Sequence, residues 1–169
     1  MTLFSNSSTW QTDEHKLFAE SVRKFYYSEM APNINEWNEN GIVDRQFWLK
    51  AGNSGIMGGS VVEEYGGSGG DMGFDSIALY EQARAGDASW GYGIQSIVIH
   101  YLTSYGSDEQ KIKWIPKLVS GEKIGALAMT EPGTGSDVQS IRTSAEKDGN
   151  QYTINGSKIF ITNGQSADL

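Results

Sequence analysis

The 169-residue sequence contains no cysteine, so neither a disulfide framework nor a thiolate metal site is open to it. Histidine is almost as scarce. His15 and His100 stand far apart without ligand spacing and read as a surface side chain and a helix-face side chain, with no metal expected. Basic residues are outnumbered, 13 Lys and Arg against 21 Asp and Glu, for a formal net charge of −8. The cations form no cluster, which argues against nucleic acid as a partner, because non-specific affinity for a phosphate backbone is built from grouped Lys and Arg that displace counterions. No stretch approaches the roughly 20 apolar residues that a membrane-spanning helix requires. The opening MTLFSNSSTWQTDEH has neither an apolar run of signal-peptide length nor the Arg-rich pattern of a transit peptide, so a cytoplasmic protein is expected. What remains, 38% hydrophobic and 20% charged, is the composition of a globular chain. Its length suits one domain, or one domain and part of a second.

Helical periodicity dominates the first two thirds. From Asp13 to about Glu29, Leu17, Phe18, Val22, Phe25 and Tyr26 recur at helical spacing, with Thr12 placed to cap. Pro32 is expected to end that element, and Asp44 to start a short helix through Phe47, Trp48 and Leu49 that stops at Gly52. Gly55 to Asp71 holds seven glycines in seventeen residues, the mark of a tightly turning loop. Helix returns from Met72 to Ala85. Ile94, Ile97, Val98, Tyr101, Leu102 and Tyr105 then step three and one alternately, as one buried stripe would, up to Gly106. Ser107 and Gln110 form a capping-box pair for a further helix that stops at Gly121, with a kink or break expected at Pro116.

After Glu122 the period turns strand-like. Ile124 to Thr130, Ser140 to Lys147, Gln151 to Asn155 and Ser157 to Thr162 are candidate strands, with turns at Asp148-Gly149-Asn150 and Asn155-Gly156. The chain therefore divides into residues 1–122, helical, and 123–169, β.

Two segments carry chemistry. In Ala128 to Asp137, AMTEPGTGSD, the glycines Gly133 and Gly135 let a backbone turn approach phosphate oxygens without a clashing Cβ. Gly156 to Gly164, GSKIFITNG, follows and would lie alongside it. Together with Tyr65 to Asp71, YGGSGGD, these segments resemble the acyl-CoA dehydrogenase family, most closely its long-chain branch, in register from about Asp13 to Leu169.

The resemblance implies a multidomain α and β protein: an N-terminal all-α helical domain followed by the start of a β-barrel domain, the chain stopping before a C-terminal helical bundle, as a fragment would. It implies FAD as cofactor, with Leu127, Ala128, Met129 and Thr130 lining the flavin, Glu131, Pro132, Gly133, Thr134, Gly135 and Ser136 forming the turn at its phosphates, and Phe160, Ile161 and Thr162 supplying an aromatic plate and a hydroxyl near the reactive nitrogen. Ser136 also belongs to the acyl-CoA site by the same comparison. Many members carry Trp where this chain has Phe160, which keeps the apolar plate and loses the indole donor. The implied reaction is α,β-dehydrogenation of an acyl-CoA thioester in fatty-acid β-oxidation, with medium to long chains expected, electron-transferring flavoprotein as acceptor and a homotetramer at full length.

No catalytic residue carries over. The family's base lies in the C-terminal helical domain. Of the carboxylates here, Glu63 and Glu64 read as solvated, and Glu131 as holding backbone donors of its own turn. The Tyr65 to Asp71 loop reads as a structural turn as readily as a substrate contact. The alternatives are an acyl-CoA oxidase or nitroalkane oxidase of the same superfamily, reoxidised by oxygen, and a non-catalytic helical interaction module.

Overall fold

The structure, a computed structural model, describes residues 9–169; the reading of the opening residues 1–8 lies outside them. Six α-helices precede a two-stranded sheet among the described residues: α1 (Asp13–Phe25), α2 (Ile34–Asn40), α3 (Arg45–Asn53), α4 (Met72–Arg84), α5 (Tyr92–Tyr105), α6 (Asp108–Val119), β1 (Ser144–Asp148) and β2 (Gln151–Asn155). No helix among them is long and apolar enough to cross a membrane.

Local chemistry starts the helices where the sequence places caps. The Thr12 and Ser107 hydroxyls accept from the amides three residues on, and the Asp44 carboxylate accepts from the Gln46 amide. In α1 the residue that completes the box is His15, whose Nδ1 accepts from the Thr12 amide at 3.1 Å while Nε2 meets Asp71 Oδ1 at 3.0 Å. That double engagement buries the ring against Phe74, so His15 is a core residue and not the surface side chain expected.

Pro32 does not end the first helical run. A π-helical turn (Tyr26–Met30) and a 3-10 turn (Ala31–Asn33) carry the chain straight into α2. Proline is accommodated there because it occupies the first turn of a new helical segment, where its missing N–H has no partner to lose. Pro116, in the interior of α6, does not break it either, and the helix runs on to Val119. In this helix interior Pro116 forgoes the bond its missing N–H would make to the Ile112 carbonyl.

The core is aromatic. Trp90, outside every helix, stacks on Tyr92 at 5.1 Å and meets Tyr26, Phe47 and Trp48 edge-on at 5.9, 5.0 and 5.3 Å. A second cluster joins Val61, Val98 and Ile99 to Ile115, Leu118 and Val119. Helix α5 contributes to both, with half of the expected stripe: Val98 is buried in the second cluster and Ile94 and Leu102 pack against it. Tyr92, Gln95, Ser96 and Ile99 are its buried residues, along with Val98, whereas Ile97, Tyr101 and Tyr105 are exposed. The polar members point inward because they have partners: Ser96 and Tyr92 donate to Asp75, which is buried in α4 and also accepts from Ser60. In the loop before α4 the glycines are demanded by the fold. A Cβ at Gly67 would lie 2.0 Å from the Val61 carbonyl oxygen, in keeping with a structural turn.

After α6 the only ladder among the described residues is β1 with β2, antiparallel, pairing Ser144 with Asn155 and Asp148 with Gln151 around the Gly149-Asn150 turn. Gly149 supplies the positive φ (58°) that such a turn requires. Residues 124–130 and 157–162 are not strands, and Asn155-Gly156 is not a hairpin turn. Their bonds are isolated: residues 124 and 126 exchange contacts with 168 and 169, and the Ile159 amide reaches the Thr130 carbonyl at 3.0 Å. Positive φ at Phe160 (55°) and Asn163 (63°) interrupts the extended geometry a ladder would need.

Candidate functional site

The two segments singled out in the sequence lie side by side. Besides the Ile159–Thr130 contact, Lys158 Nζ donates to the Met129 carbonyl at 2.9 Å and to Glu131 Oε1 at 2.9 Å. Between these ties the backbone is free. Among the described residues, the amides of Leu127, Ala128, Met129 and Thr130, and of Phe160, Ile161 and Thr162, take no protein acceptor. Groups of this kind require a partner, from water or from a ligand.

Phe160 has φ of 55° and is 88% exposed, an unusual combination for a bulky aromatic residue. Strain of this kind persists where the surroundings enforce it and is concentrated at functional positions. Ile161 and Leu127 are half-buried, while Ala128, Met129 and Thr162 face outward.

The turn within the first segment is built on Glu131 and Thr134, whose backbones exchange bonds of 2.9 and 3.0 Å across Pro132 and Gly133. The Thr134 hydroxyl donates to the Ser140 carbonyl, so it is committed to the fold. Gly133, Gly135 and Ser136 are exposed, and a Cβ on either glycine would meet nothing within 4 Å. The protein itself makes no demand for glycine at these two positions; the space in front of them is open to something else.

Glu131 is buried, and its carboxylate gathers the amides of Arg142 (2.8 Å) and Thr143 (2.9 Å) as well as Lys158. It therefore holds donors of the segment leading into β1, not those of its own turn as expected. The neighbouring Thr143 hydroxyl, whose geometry falls short of a hydrogen bond, together with the Arg142 amide, Lys158 and the Thr143 amide, lowers the carboxyl to about 2. Such a group stays ionised at neutral pH. Glu63 and Glu64 are exposed to solvent.

Three supporting residues escaped the sequence reading. Lys158 carries no distinguishing pattern. Asn163 precedes a glycine, a pairing that favours left-handed backbone, and this was the available signal. Gln95 is one of the polar residues on the buried face of α5.

Comparison with known proteins places this geometry in a family. Residues 12–122 match the family profile described as acyl-CoA dehydrogenase, N-terminal domain, and residues 126–169 the one described as acyl-CoA dehydrogenase, middle domain. The chain belongs to the acyl-CoA dehydrogenase family. It is 46% identical over 159 residues to the mitochondrial long-chain specific acyl-CoA dehydrogenase of Sus scrofa, a match covering 94% of this chain and 37% of that protein. The chain thus spans under two fifths of the length of this relative. Among solved structures, an acyl-CoA dehydrogenase from Geobacillus kaustophilus superposes with a TM-score of 0.92 at 44% identity, over 96% of this chain and 43% of that one. A glutaryl-CoA dehydrogenase from Mycobacterium smegmatis, solved in complex with FADH2, gives 0.87 at 30% identity, over 96% and 42%.

Proposed function

We propose that this chain is the flavin-facing part of an FAD-dependent acyl-CoA dehydrogenase, an oxidoreductase that converts an acyl-CoA thioester to its trans-2-enoyl-CoA. In this reading residues 1–122 form the helical domain and 123–169 the β-domain portion. The observation that carries it is the surface made by Leu127–Thr130 and Phe160–Thr162, with unpaired amides, an exposed strained aromatic ring and two glycines open to solvent. Those features suit a flat, polar-edged, phosphate-bearing cofactor. Similarity to a relative solved with FADH2 supports the same group here.

FAD, when bound, supplies the acceptor for hydride from the substrate β carbon. The chain's own residues bind and orient. Free amides of Leu127–Thr130 offer hydrogen bonds to a polar ring edge, Phe160 offers an apolar plate, and the Thr162 hydroxyl is exposed on the same segment. Gly133 and Gly135 leave room for phosphates, and the exposed Ser136 serves them or the acyl-CoA. No carboxylate described here is assigned as the base that takes the α proton. Glu131 is held ionised by its donors, and Glu63 and Glu64 sit in solvent. Chain-length preference is medium to long, on the likeness to the long-chain relative; fatty-acid β-oxidation as the setting, a homotetramer as the assembly and electron-transferring flavoprotein as the acceptor belong to the same proposal.

The test is anaerobic mixing of the full-length, FAD-loaded protein with a panel of acyl-CoA thioesters, following loss of the flavin's visible absorbance. Bleaching by medium and long straight chains is expected. Preference for isovaleryl-CoA or glutaryl-CoA would overturn the substrate class, and turnover with stoichiometric oxygen uptake in air would identify an oxidase instead.

A further inference from the structure

Both backbone groups of one glycine, Gly125, are held by side chains from opposite sides of the chain. Its N–H donates to Gln95 Oε1 at 2.7 Å. Its carbonyl accepts from Asn163 Nδ2 at 3.0 Å, and the same nitrogen donates to the Gly91 carbonyl at 3.0 Å. Gln95 is fully buried, and its Nε2 is spent on the Leu118 and Lys123 carbonyls at 2.9 and 3.0 Å. The side-chain amide of Gln95 therefore joins α5, the end of α6 and the start of the 126–130 segment, while Asn163 joins the 160–162 segment to the residue just before α5.

The fit is close from every direction. A Cβ on Gly125 would lie 2.9 Å from Val98 Cγ1, and one on Gly91 would lie 2.0 Å from Asn163 Oδ1. Asn163 reaches both carbonyls from left-handed backbone, φ 63°, a conformation asparagine tolerates better than other non-glycine residues. Seen along the two site segments, Gly125–Asn163 is one tie and Thr130–Ile159 the other, an antiparallel bracket with Leu127–Met129 and Phe160–Thr162 between them.

We propose that Gln95 and Asn163 are positioning residues for the flavin surface, acting through Gly125 to set the spacing of its two segments. Neither touches the cofactor in this account. The inference rests on the flavin reading above, and goes beyond it by placing control of that surface in the helical domain. Because Gln95 and Asn163 act on the same residue, their effects are coupled.

The experiment uses the full-length protein and FAD. Asn163→Gly keeps the left-handed backbone and deletes the donor; Gln95→Met stays close to the parent side chain in size and deletes the acceptor for the Gly125 amide together with the Nε2 donor. Each is expected to weaken FAD binding about tenfold, through the altered spacing of the two segments, and to change the visible circular dichroism of the flavin that remains bound. The double variant is expected to lose less than the product of the single effects. A control variant at an exposed α6 residue, Glu109→Ala, should leave affinity and spectrum unchanged. If the parent protein fails to bind FAD, the flavin reading itself falls. If the parent binds and both variants match it in affinity and circular dichroism, even with a lowered melting temperature, the two residues only stabilise the fold and the positioning role is refuted. Should one variant not fold, the other decides.

Discussion

Replacing Tyr92 with Phe removes one oxygen from a fully buried ring and leaves the carbon framework intact, so it isolates a polar contact from packing. In the structure that hydroxyl lies 2.6 Å from Asp75 Oδ1 and 3.3 Å from the Ile56 carbonyl; having one proton, it gives it to the closer, charged acceptor. A hydrogen bond to a buried charged group contributes about 1.5–3 kcal/mol. The lower part of that range applies, because Asp75 keeps Ser96 at 3.1 Å and also keeps Ser60. We expect a loss of about 2 kcal/mol, which for a chain of this size lowers the melting temperature by roughly 4–8 °C. Burial, and then the neighbouring Asp75 carboxylate, raise the Tyr92 pKa well above its ordinary 10.0. A raised acid pKa contributes stability in full below the unfolded value and loses it as pH rises beyond that value. The parent protein should therefore be the more alkali-sensitive, and the gap between the two should narrow above about pH 10. Urea unfolding followed by tryptophan fluorescence, at about pH 8 and about pH 11, measures both effects. A loss under about 0.5 kcal/mol at the lower pH, or a gap that widens at the higher one, would refute the assignment of this contact.

Gly135→Val should leave thermal stability within about 0.5 kcal/mol of the parent, since a side chain there meets nothing in the protein, yet weaken FAD retention at least tenfold; unchanged flavin content would count against the phosphate turn. Gly121→Ala should destabilise by about 1–3 kcal/mol, because φ is 74° and the new Cβ would lie 2.1 Å from the Trp48 carbonyl oxygen; a neutral result in denaturant melts would contradict the packing of α3 on the end of α6. For Glu131 the carboxyl is depressed from 4.5 to about 2, so its contribution is complete above the first value and disappears as pH falls toward the second. Glu131→Gln should lower stability at neutral pH and flatten the acid side of the stability profile across that window, and a profile parallel to the parent's would show that the carboxylate is not what holds residues 142 and 143.

Helix starts were legible because they depend on one residue and its near neighbours: Thr12, Asp44 and Ser107 each cap as read. Elements governed by distant partners were not. The apolar stripe on α5 follows the helical period faithfully, but which face is buried depends on Asp75, which turns Tyr92 and Ser96 inward and leaves Tyr101 and Tyr105 in solvent. The apolar runs 124–130 and 157–162 have strand composition without a continuous partner. Strand pairing is a property of two segments, and these two meet at a few points only. At the site, the motif residues could be read from the sequence and their neighbours could not. Nothing in the spacing of Gln95, Gly125 and Asn163 announces that they converge, because the contacts span 30 and 38 residues. Glu131 was recognised as a holder of backbone donors, and only the fold reveals that these belong to Arg142 and Thr143.

The central claim is that the segments Leu127–Ser136 and Phe160–Thr162 form one flavin surface, and the most direct measurement is the FAD stoichiometry and affinity of the purified full-length protein. The account predicts one FAD per chain. It further predicts that Phe160→Ala and Gly135→Val, on different segments, each reduce affinity while leaving the melting temperature of the flavin-free protein in place. A full-length protein that folds and binds no FAD, or that binds it with affinity indifferent to both substitutions, would contradict it.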